Sequence, residues 1–324
     1  MRNTLAFAVI AAAAFGQLPP SDQRVADLTE LIERKPDFAA AYYARGVTRL
    51  ALGQYVGADQ DLSKAIELKP DATAYASRAE VYAATKRYDQ EIADLSMAIS
   101  LKPGNSSYYL RRANSYRGKG ECQAAIADYT EVIRMAPSEV VYRSRSACRK
   151  QSGDAAGAAE DERVIEQMKA ARVSPPPPPA PTPPAPIPRP APRQFVPPSS
   201  AGVGGGIGSA SGGGGGRAML PASSPSPENV YRIGGGVSQP SILFKVEPEY
   251  SEEARKAKWQ GSVSLSVVIS EFGEPLNLKV TNALGLGLDQ QAIDAVQRWV
   301  FKPGRKDGQP VAVFANIQVT FHLL

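Results

Sequence analysis

One spacing recurs along the first half of the chain and constrains its fold more than any other feature. Prolines and tyrosines both return at a nearly constant interval, about 34 residues in length. Each interval predicts two helices, the first starting near the tyrosine and the second ending at the proline, because proline cannot continue a helix. A fixed period of this length indicates a solenoid of stacked repeats. The recurring residues are Pro36, Pro70, Pro103 and Pro137, and Tyr42, Tyr75, Tyr109 and Tyr142.

The repeats place aromatic, small and proline residues at fixed positions. The first repeat has Tyr42, Gly46, Gly53, Tyr55, Ala58, Ala65 and Pro70, and the third has Tyr109, Ala113, Gly120, Ala125 and Pro137. This pattern resembles the tetratricopeptide repeat (TPR) family. The second repeat departs at Glu91, where a small residue is usual, and the fourth lacks its final proline, as a worn or capping repeat would. Residues 25–34 resemble a second helix without a first.

The resemblance implies a concave groove lined by the first helix of each repeat. Mapped onto this chain, the groove runs from apolar to basic, which suits an acidic or carboxylate-ended peptide. A solvated basic face is the alternative. The family's dicarboxylate clamp is not carried over, because apolar and aromatic residues occupy its positions. The predicted groove residues are Tyr43, Val47, Leu50, Leu110, Arg111, Asn114, Arg117, Arg143 and Lys150.

The chain has two cysteines, Cys122 and Cys148. The first opens a second helix and the other lies late in the following first helix, so antiparallel stacking would bring them together. A disulfide between them is predicted as one of two alternatives, the other being free thiols.

The N-terminal residues have the pattern of an export signal. Arg2 precedes an apolar run from Leu5 to Phe15, and small residues offer a cleavage site before Gln17. The run is shorter than the roughly 20 residues of a membrane span, and no cysteine follows that could take a lipid. We therefore expect residues 1–16 to be removed and the protein to be periplasmic; a retained signal would anchor it in the inner membrane, facing the periplasm, and give its only membrane contact.

Residues 174–240 hold most of the prolines and glycines and predict a disordered linker. The stretch from Pro175 to Pro198 favours extended polyproline II, and the glycine run after it favours flexibility. The linker would separate helical repeats at 17–173 from a C-terminal domain at 241–324. Recognition of the proline-rich stretch by an aromatic-lined groove is an alternative role.

The C-terminal stretch alternates apolar and polar residues with the period of a strand. Strands are predicted around residues 262–270, 276–281 and 311–323, with a turn at Phe272-Gly273-Glu274-Pro275. Between the last two, an apolar face from Ala292 to Val300 predicts a helix that Asp289 caps. This order predicts a small α+β domain in which one helix covers an antiparallel sheet.

Several segments of this domain match one known family. They are Pro248 to Arg255, Gly261, Phe272-Gly273, Gly287-Leu288-Asp289, and Arg298 to Pro303. Together they resemble the TonB C-terminal domain family, with Ser251 in place of the usual proline. The resemblance implies that the domain adds a periplasmic segment of an outer-membrane transporter to its sheet edge. The implied contacts are Glu247, Pro248, Glu249 and Tyr250, and Val311, Val313, Ala315, Ile317, Val319 and Phe321.

Charge and composition narrow the function further. The net charge of +5 comes mainly from the linker, and residues 240–324 have nine basic and nine acidic residues, so neither folded part offers the basic face that nucleic acid requires. The single histidine, His322, leaves too little for a histidine-dependent metal site or catalytic triad, and we expect no cofactor.

The sequence as a whole predicts a multidomain, non-catalytic envelope adaptor. An all-α TPR solenoid would hold one protein or peptide, and the TonB-like α+β domain would engage another, such as a TonB-dependent outer-membrane transporter. The alternative is a membrane-anchored TonB-type energy transducer for transport. That role needs an anchor carrying a histidine, which the N-terminal residues do not show.

Overall fold

The computed structural model describes residues 18–173 and 230–322. The predicted signal, most of the predicted linker, and Leu323 lie outside the described residues. The described residues of the helical repeats up to residue 168 and those of the C-terminal domain fall in one compact unit. The predicted fold class is confirmed: an all-α repeat array is followed by a small α+β domain.

The repeat region consists of antiparallel helix pairs. A left-handed residue separates the two helices of each repeat, at Gly53, Lys86, Gly120 and Gly153. The helices are α1 Ser21–Arg34, α2 Ala39–Ala51, α3 Tyr55–Leu68, α4 Ala72–Ala84, α5 Tyr88–Leu101, α6 Ser106–Gly118, α7 Cys122–Met135, α8 Glu139–Gln151 and α9 Ala155–Val173. The orphan second helix predicted ahead of the first repeat is α1.

Each repeat contains the same buried ion pair, which we call the arginine–aspartate ladder. An arginine on the first helix donates from Nε and Nη2 to both carboxylate oxygens of an aspartate on the second helix, at 2.6–3.1 Å. Such paired hydrogen bonds are stronger than single ones between neutral groups. The pairs are Arg45–Asp61, Arg78–Asp94, Arg112–Asp128 and Arg145–Asp161.

The same arginines also connect neighbouring repeats. The third guanidinium nitrogen, Nη1, donates to a hydroxyl on the preceding second helix, at 2.8–3.0 Å. The accepting residues are Thr29, Ser63, Ser96 and Thr130. The tyrosine three residues earlier lies beside each guanidinium, with 5.5–5.9 Å between the ring centroid and the arginine Cζ. The recurring tyrosine is therefore part of an ion-pair network as well as of the apolar packing.

The C-terminal domain packs helices against a sheet with the order β1-β7-β3-β4, and β6 pairs with the start of β7. A separate two-stranded sheet joins β2 and β5. The core beneath the main sheet contains Trp299, Phe301 and Phe321, with Val263 and Ile317. The elements are β1 Val230–Arg232, β2 Ser241–Phe244, α10 Glu252–Lys256, β3 Gly261–Ile269, β4 Pro275–Asn282, α11 Leu288–Val296, β5 Val300–Lys302, β6 Gly304–Lys306 and β7 Gln309–Phe321.

The turn between β3 and β4 requires glycine. Gly273 has φ +81°, and a Cβ there would lie 1.9 Å from the carbonyl oxygen of Phe301. The amide of Phe301 donates to the carbonyl of Gly273 at 3.0 Å. The Phe272-Gly273 pair in the sequence thus marks a turn that is hydrogen-bonded to strand β5.

Three predictions about this domain are wrong in detail. The helix ends at Val296, and Val300 belongs to β5, because pairing with β2 competes with further helix. Asp289 does not cap the helix; its carboxylate accepts hydrogen bonds from the amides of Leu284 and Gly285, at 2.7 and 3.0 Å. The predicted linker extends too far, since Val230–Arg232 within it pairs with β7.

The ladder predicts a large cost for removing one partner. The Asp128→Ala variant leaves the half-buried Arg112 without its carboxylate, so we expect a loss of about 2 kcal/mol in the free energy of unfolding, measured with urea. Replacing both residues, by Arg112→Met with Asp128→Leu, removes both charges and should recover most of that loss. The exposed pair Arg134–Glu131 is the control, because Arg134→Ala should cost less than about 0.5 kcal/mol. Equal effects at both pairs would contradict the ladder's structural role.

Candidate protein-binding surfaces

Strand β7 presents a backbone edge along part of its length. On one side its residues 313–321 pair antiparallel with β3. On the other side β1 pairs parallel with residues 312–314. Strand β6 pairs with residues 309–311 at the start of β7. No strand in the described part of the chain pairs with residues 315–321 on that second side. We call residues 315–321 the open edge.

The chain's own first strand stops where the open edge begins. Three consecutive glycines, Gly234 to Gly236, follow β1 with φ values of +107°, +59° and +87°. These values lie outside the strand region and are accessible to glycine at little cost. The chain turns there, and Val237 then bridges to Lys306. The glycine turn leaves the rest of β7 uncovered.

The two faces of β7 have different environments. Ala315, Ile317, Val319 and Phe321 are buried in the core, as is Val313, while Asn316 and Gln318 are exposed. Val311 is half-buried. The predicted contact residues of this strand thus hold the domain together with their side chains. Their backbone, from residue 315 onwards, is the part available to a partner.

The segment ahead of the domain, residues 247–250, is also largely structural. Pro248 and Tyr250 are buried. The Tyr250 ring lies edge-on to Phe321 with centroids 5.4 Å apart, and its hydroxyl donates to the Trp259 carbonyl at 3.1 Å. The acidic residues point outward, Glu247 to Lys245 and Glu249 to Lys102. A partner would therefore meet the two glutamates of this segment.

The apolar end of the predicted groove is occupied by the chain itself. Tyr43 lies edge-on to Phe244 of β2 with ring centroids 5.6 Å apart. Val47 and Leu50 pack against Ala58, Leu62 and Val81. Nearby is a cavity of about 240 Å³, lined by Tyr43, Lys69 and Asp71 and by Asp294 and Arg298 of the C-terminal domain.

The basic end of the groove is partly neutralised. Arg143 pairs with Glu139, and Lys150 pairs with Glu162. Arg111 donates to the carbonyl of Ala76 at 3.1 Å, and Arg117 donates to the Ser144 hydroxyl at 3.4 Å. Leu110 is half-buried and packs against the core that contains Tyr129, whose hydroxyl donates to Asn114 at 2.8 Å. Arg143 and Lys150 are therefore paired with acidic residues, whereas Arg111 and Arg117 donate to neutral acceptors, with Glu91 near Arg111.

Glu91, the departure noted in the second repeat, is 5% exposed. Burial raises the pKa of its carboxyl, against the opposing effects of the Ser115 hydroxyl and the Arg111 charge. The sequence shows a residue of unusual size at this position. The structure adds that it is an acid held away from water beside a groove arginine.

The two cysteines are free and buried in the same apolar cluster. Cys122 donates to the side-chain oxygen of Gln151 at 3.2 Å. Burial and the neighbouring Cys122 thiol raise the pKa of Cys148 to about 12. The two cysteines lie close together with free thiols in the structure. The disulfide alternative stays a prediction.

Family models agree with both parts of this architecture. The model of the Gram-negative bacterial TonB protein C-terminal matches residues 246–323. Tetratricopeptide repeat models match residues 25–73, 48–106 and 106–139. The chain joins tetratricopeptide repeats to a TonB C-terminal domain. The tetratricopeptide repeat and TonB C-terminal families are non-catalytic protein-interaction domains.

Two curated TonB proteins match part of this chain. Protein TonB of Vibrio cholerae serotype O1 is 32% identical over 97 residues, which are 28% of this chain and 40% of that relative. Protein tonB2 of Pseudomonas aeruginosa is 32% identical over 82 residues, 25% of this chain and 30% of that relative. The chain thus spans less than half the length of either relative.

Solved structures also match part of the chain, at low identity. A crystal structure of MamA is 18% identical with a TM-score of 0.44, covering 48% of this chain and 98% of that chain. A structure of MamA from Desulfovibrio magneticus RS-1 is 17% identical with a TM-score of 0.43, covering 48% of this chain and 88% of that chain.

Within residues 18–173 and 230–322, no helix combines the length and the apolar character that crossing a membrane requires.

The burial of Glu91 predicts that glutamine, its neutral analogue, increases thermal stability by an amount that depends on pH. A raised pKa in the folded state means that the native protein carries the cost of a buried carboxylate once the pH exceeds that value. Below the ordinary pKa of 4.5 the cost is absent. The Glu91→Gln variant should therefore raise the melting temperature at pH 7 more than at pH 4. Glu162→Gln is the control, since Lys150 lowers the pKa of exposed Glu162 and no gain is expected there; a Glu91→Gln effect independent of pH would be evidence against a buried ionised carboxylate.

Proposed function

We propose that this protein is an exported, non-catalytic adaptor of a Gram-negative-type envelope. Its TonB domain binds an extended segment of an envelope protein along the open edge, and its repeats bind a second protein or peptide. An outer-membrane TonB-dependent transporter is the proposed partner of the TonB domain. Two binding sites on one chain act by tethering their partners.

The open edge is the observation that carries this proposal. An unpaired strand edge offers a row of backbone donors and acceptors, which an extended segment satisfies by adding a strand. The edge is held rigid from behind, because β3 pairs with β7 through residue 321 and the inward side chains are buried. A segment that adds there binds to a preorganised backbone.

The basic end of the groove supports a second, acidic partner. Arg111 and Arg117 lie on α6 on the predicted concave face. A carboxylate that replaced the carbonyl and hydroxyl acceptors of these arginines would make stronger, charge-assisted hydrogen bonds. The proposed occupant of the groove is therefore a peptide with acidic side chains or a free C-terminus.

The alternative is energy transduction to a transporter by a membrane-anchored TonB-type protein. It shares the binding step at the open edge and adds an inner-membrane anchor. Fractionation of the envelope separates the two functions: recovery in the soluble periplasmic fraction supports the adaptor, while recovery only with the inner membrane supports the transducer.

The open edge can be tested by crosslinking in cells. A photo-crosslinking amino acid at Gln318, which is exposed on β7, should form an adduct with an outer-membrane transporter that mass spectrometry identifies. The same group at Lys279, exposed on β4 at the opposite edge of the sheet, should form little of that adduct. Equal yields from both positions, or adducts of no defined protein, would refute strand addition at the open edge.

The groove can be tested by charge reversal in the same cells. The double variant Arg111→Glu with Arg117→Glu should reduce capture of the repeats' partner while leaving the Gln318 adduct unchanged. An unchanged set of captured proteins would exclude the groove as a binding site.

A further inference from the structure

The arginine–aspartate ladder has one aspartate more than it has arginines. One repeat period before Asp61 the chain has Asp27, on α1. The nearby Thr29 accepts from Arg45, just as Ser63 accepts from Arg78, so α1 carries both ladder positions of a second helix. In each full repeat the arginine precedes its aspartate by the same interval. At that interval before Asp27 the sequence has Ala11 instead of an arginine.

Asp27 is nevertheless buried and paired. It is 7% exposed, and Lys302 of the TonB domain places its Nζ 2.9 Å from the Asp27 Oδ1. Gln23 donates to the same oxygen at 3.0 Å. A buried carboxylate without a cation would be strongly destabilising. Lys302 supplies the charge that a ladder arginine supplies elsewhere.

The TonB domain also supplies apolar contacts to α1. The face of α1 contributes Leu28, Leu31 and Ile32 to a cluster in which Leu243 of β2 and Val300 of β5 are fully buried. In the complete repeats this position is taken by a first helix. Here the two-stranded β2–β5 sheet takes it, next to α1 and α2.

Polar contacts surround this apolar patch. Arg305 pairs with Glu30 at 3.0 Å, and Lys35 pairs with Glu274. Arg34 donates to the carbonyl of Glu271 at 2.8 Å, and its guanidinium lies 5.4 Å from the centroid of the Phe272 ring. An apolar centre with a charged rim is the usual composition of a specific protein interface.

We propose that the TonB domain is the N-terminal cap of the repeat array, in which the β2–β5 sheet packs on α1 where a first helix packs in the other repeats, and Lys302 pairs with Asp27 as an arginine pairs with the other ladder aspartates. Terminal repeats of a solenoid need a cap because their outer apolar face has no neighbour. The occupant of that face is the C-terminal domain of the same chain. The cap residues are distinct from the open edge, so the inference is independent of the proposed function.

The cap can be tested by cutting the linker in the intact protein. A site-specific protease sequence inserted at the Gly-rich stretch, residues 202–216, allows the full chain to be folded first and cleaved afterwards. We expect the two halves to co-elute in size-exclusion chromatography, and the uncut chain to elute as a monomer. Separate elution of two folded halves would overturn the proposal, and a dimer that Lys302→Glu dissociates would place the cap on a second copy instead.

Charge variants show whether Asp27 and Lys302 hold the halves together. Lys302→Glu should weaken their association at least about tenfold, since it leaves a buried charge facing a like charge. The swapped pair, Asp27→Lys with Lys302→Asp, should recover part of the affinity. Arg305→Glu, at the exposed rim, should weaken it less, and Lys279→Glu on β4 should not change it. Equal effects of Lys302→Glu and Lys279→Glu, with both chains folded by circular dichroism, would reject the ladder substitution.

Discussion

The arginine–aspartate ladder is the interaction on which the repeat array depends. Removing a guanidinium and a carboxylate from water is costly, and the cost is recovered only where geometry and additional hydrogen bonds are good. Each ladder arginine meets that condition with two bonds to its aspartate and one to a hydroxyl of the preceding repeat. Hydrogen bonding to Asp128 raises the pKa of Arg112, and Asp94 does the same for Arg78. Because one residue satisfies both the internal and the neighbouring contact, the spacing within a repeat also fixes the spacing between repeats.

A periodic network of this kind has an unsatisfied end. At the N-terminal end of the array the unmatched group is the carboxylate of Asp27, and Lys302 of the TonB domain pairs with it. The contact draws on strands β2 and β5, which form their own small sheet. None of the contacts described between the two domains uses the open edge, residues 315–321.

The sequence predicts the parts of this fold that have a local cause. Helix pairs follow from apolar spacing, proline and tyrosine, and β3 and β7 follow from long alternation. The apolar and proline spacing does not predict the ladder. Its sequence signal is an arginine three residues after each recurring tyrosine and an aspartate 16 residues after that arginine. A search for charged residues at the repeat period would have found it.

Other features depend on contacts that no local pattern contains. Val230–Arg232 is too short to show alternation and is a strand only because it pairs with β7. Val300 continues the helical spacing of α11 but joins β2 instead. Tyr43 was predicted to face a partner, and the structure places it against Phe244, in the other domain of the chain. The sequence alone predicts the exposed arginines of the groove and the position of β7. It does not predict which parts of the chain pack beside them.

The glycine turn after β1 sets the length of the segment that can pair with the open edge of β7. Strand β1 ends opposite residue 314, and β7 ends at residue 321. A strand added to the open edge thus has the backbone of residues 315–321 to pair with, a length of about 23 Å at roughly 3.3 Å per residue. A segment paired along the whole open edge would meet the end of β1 next to residue 315. Strand β1 therefore limits how far such a segment can extend and sets the register of one that reaches it.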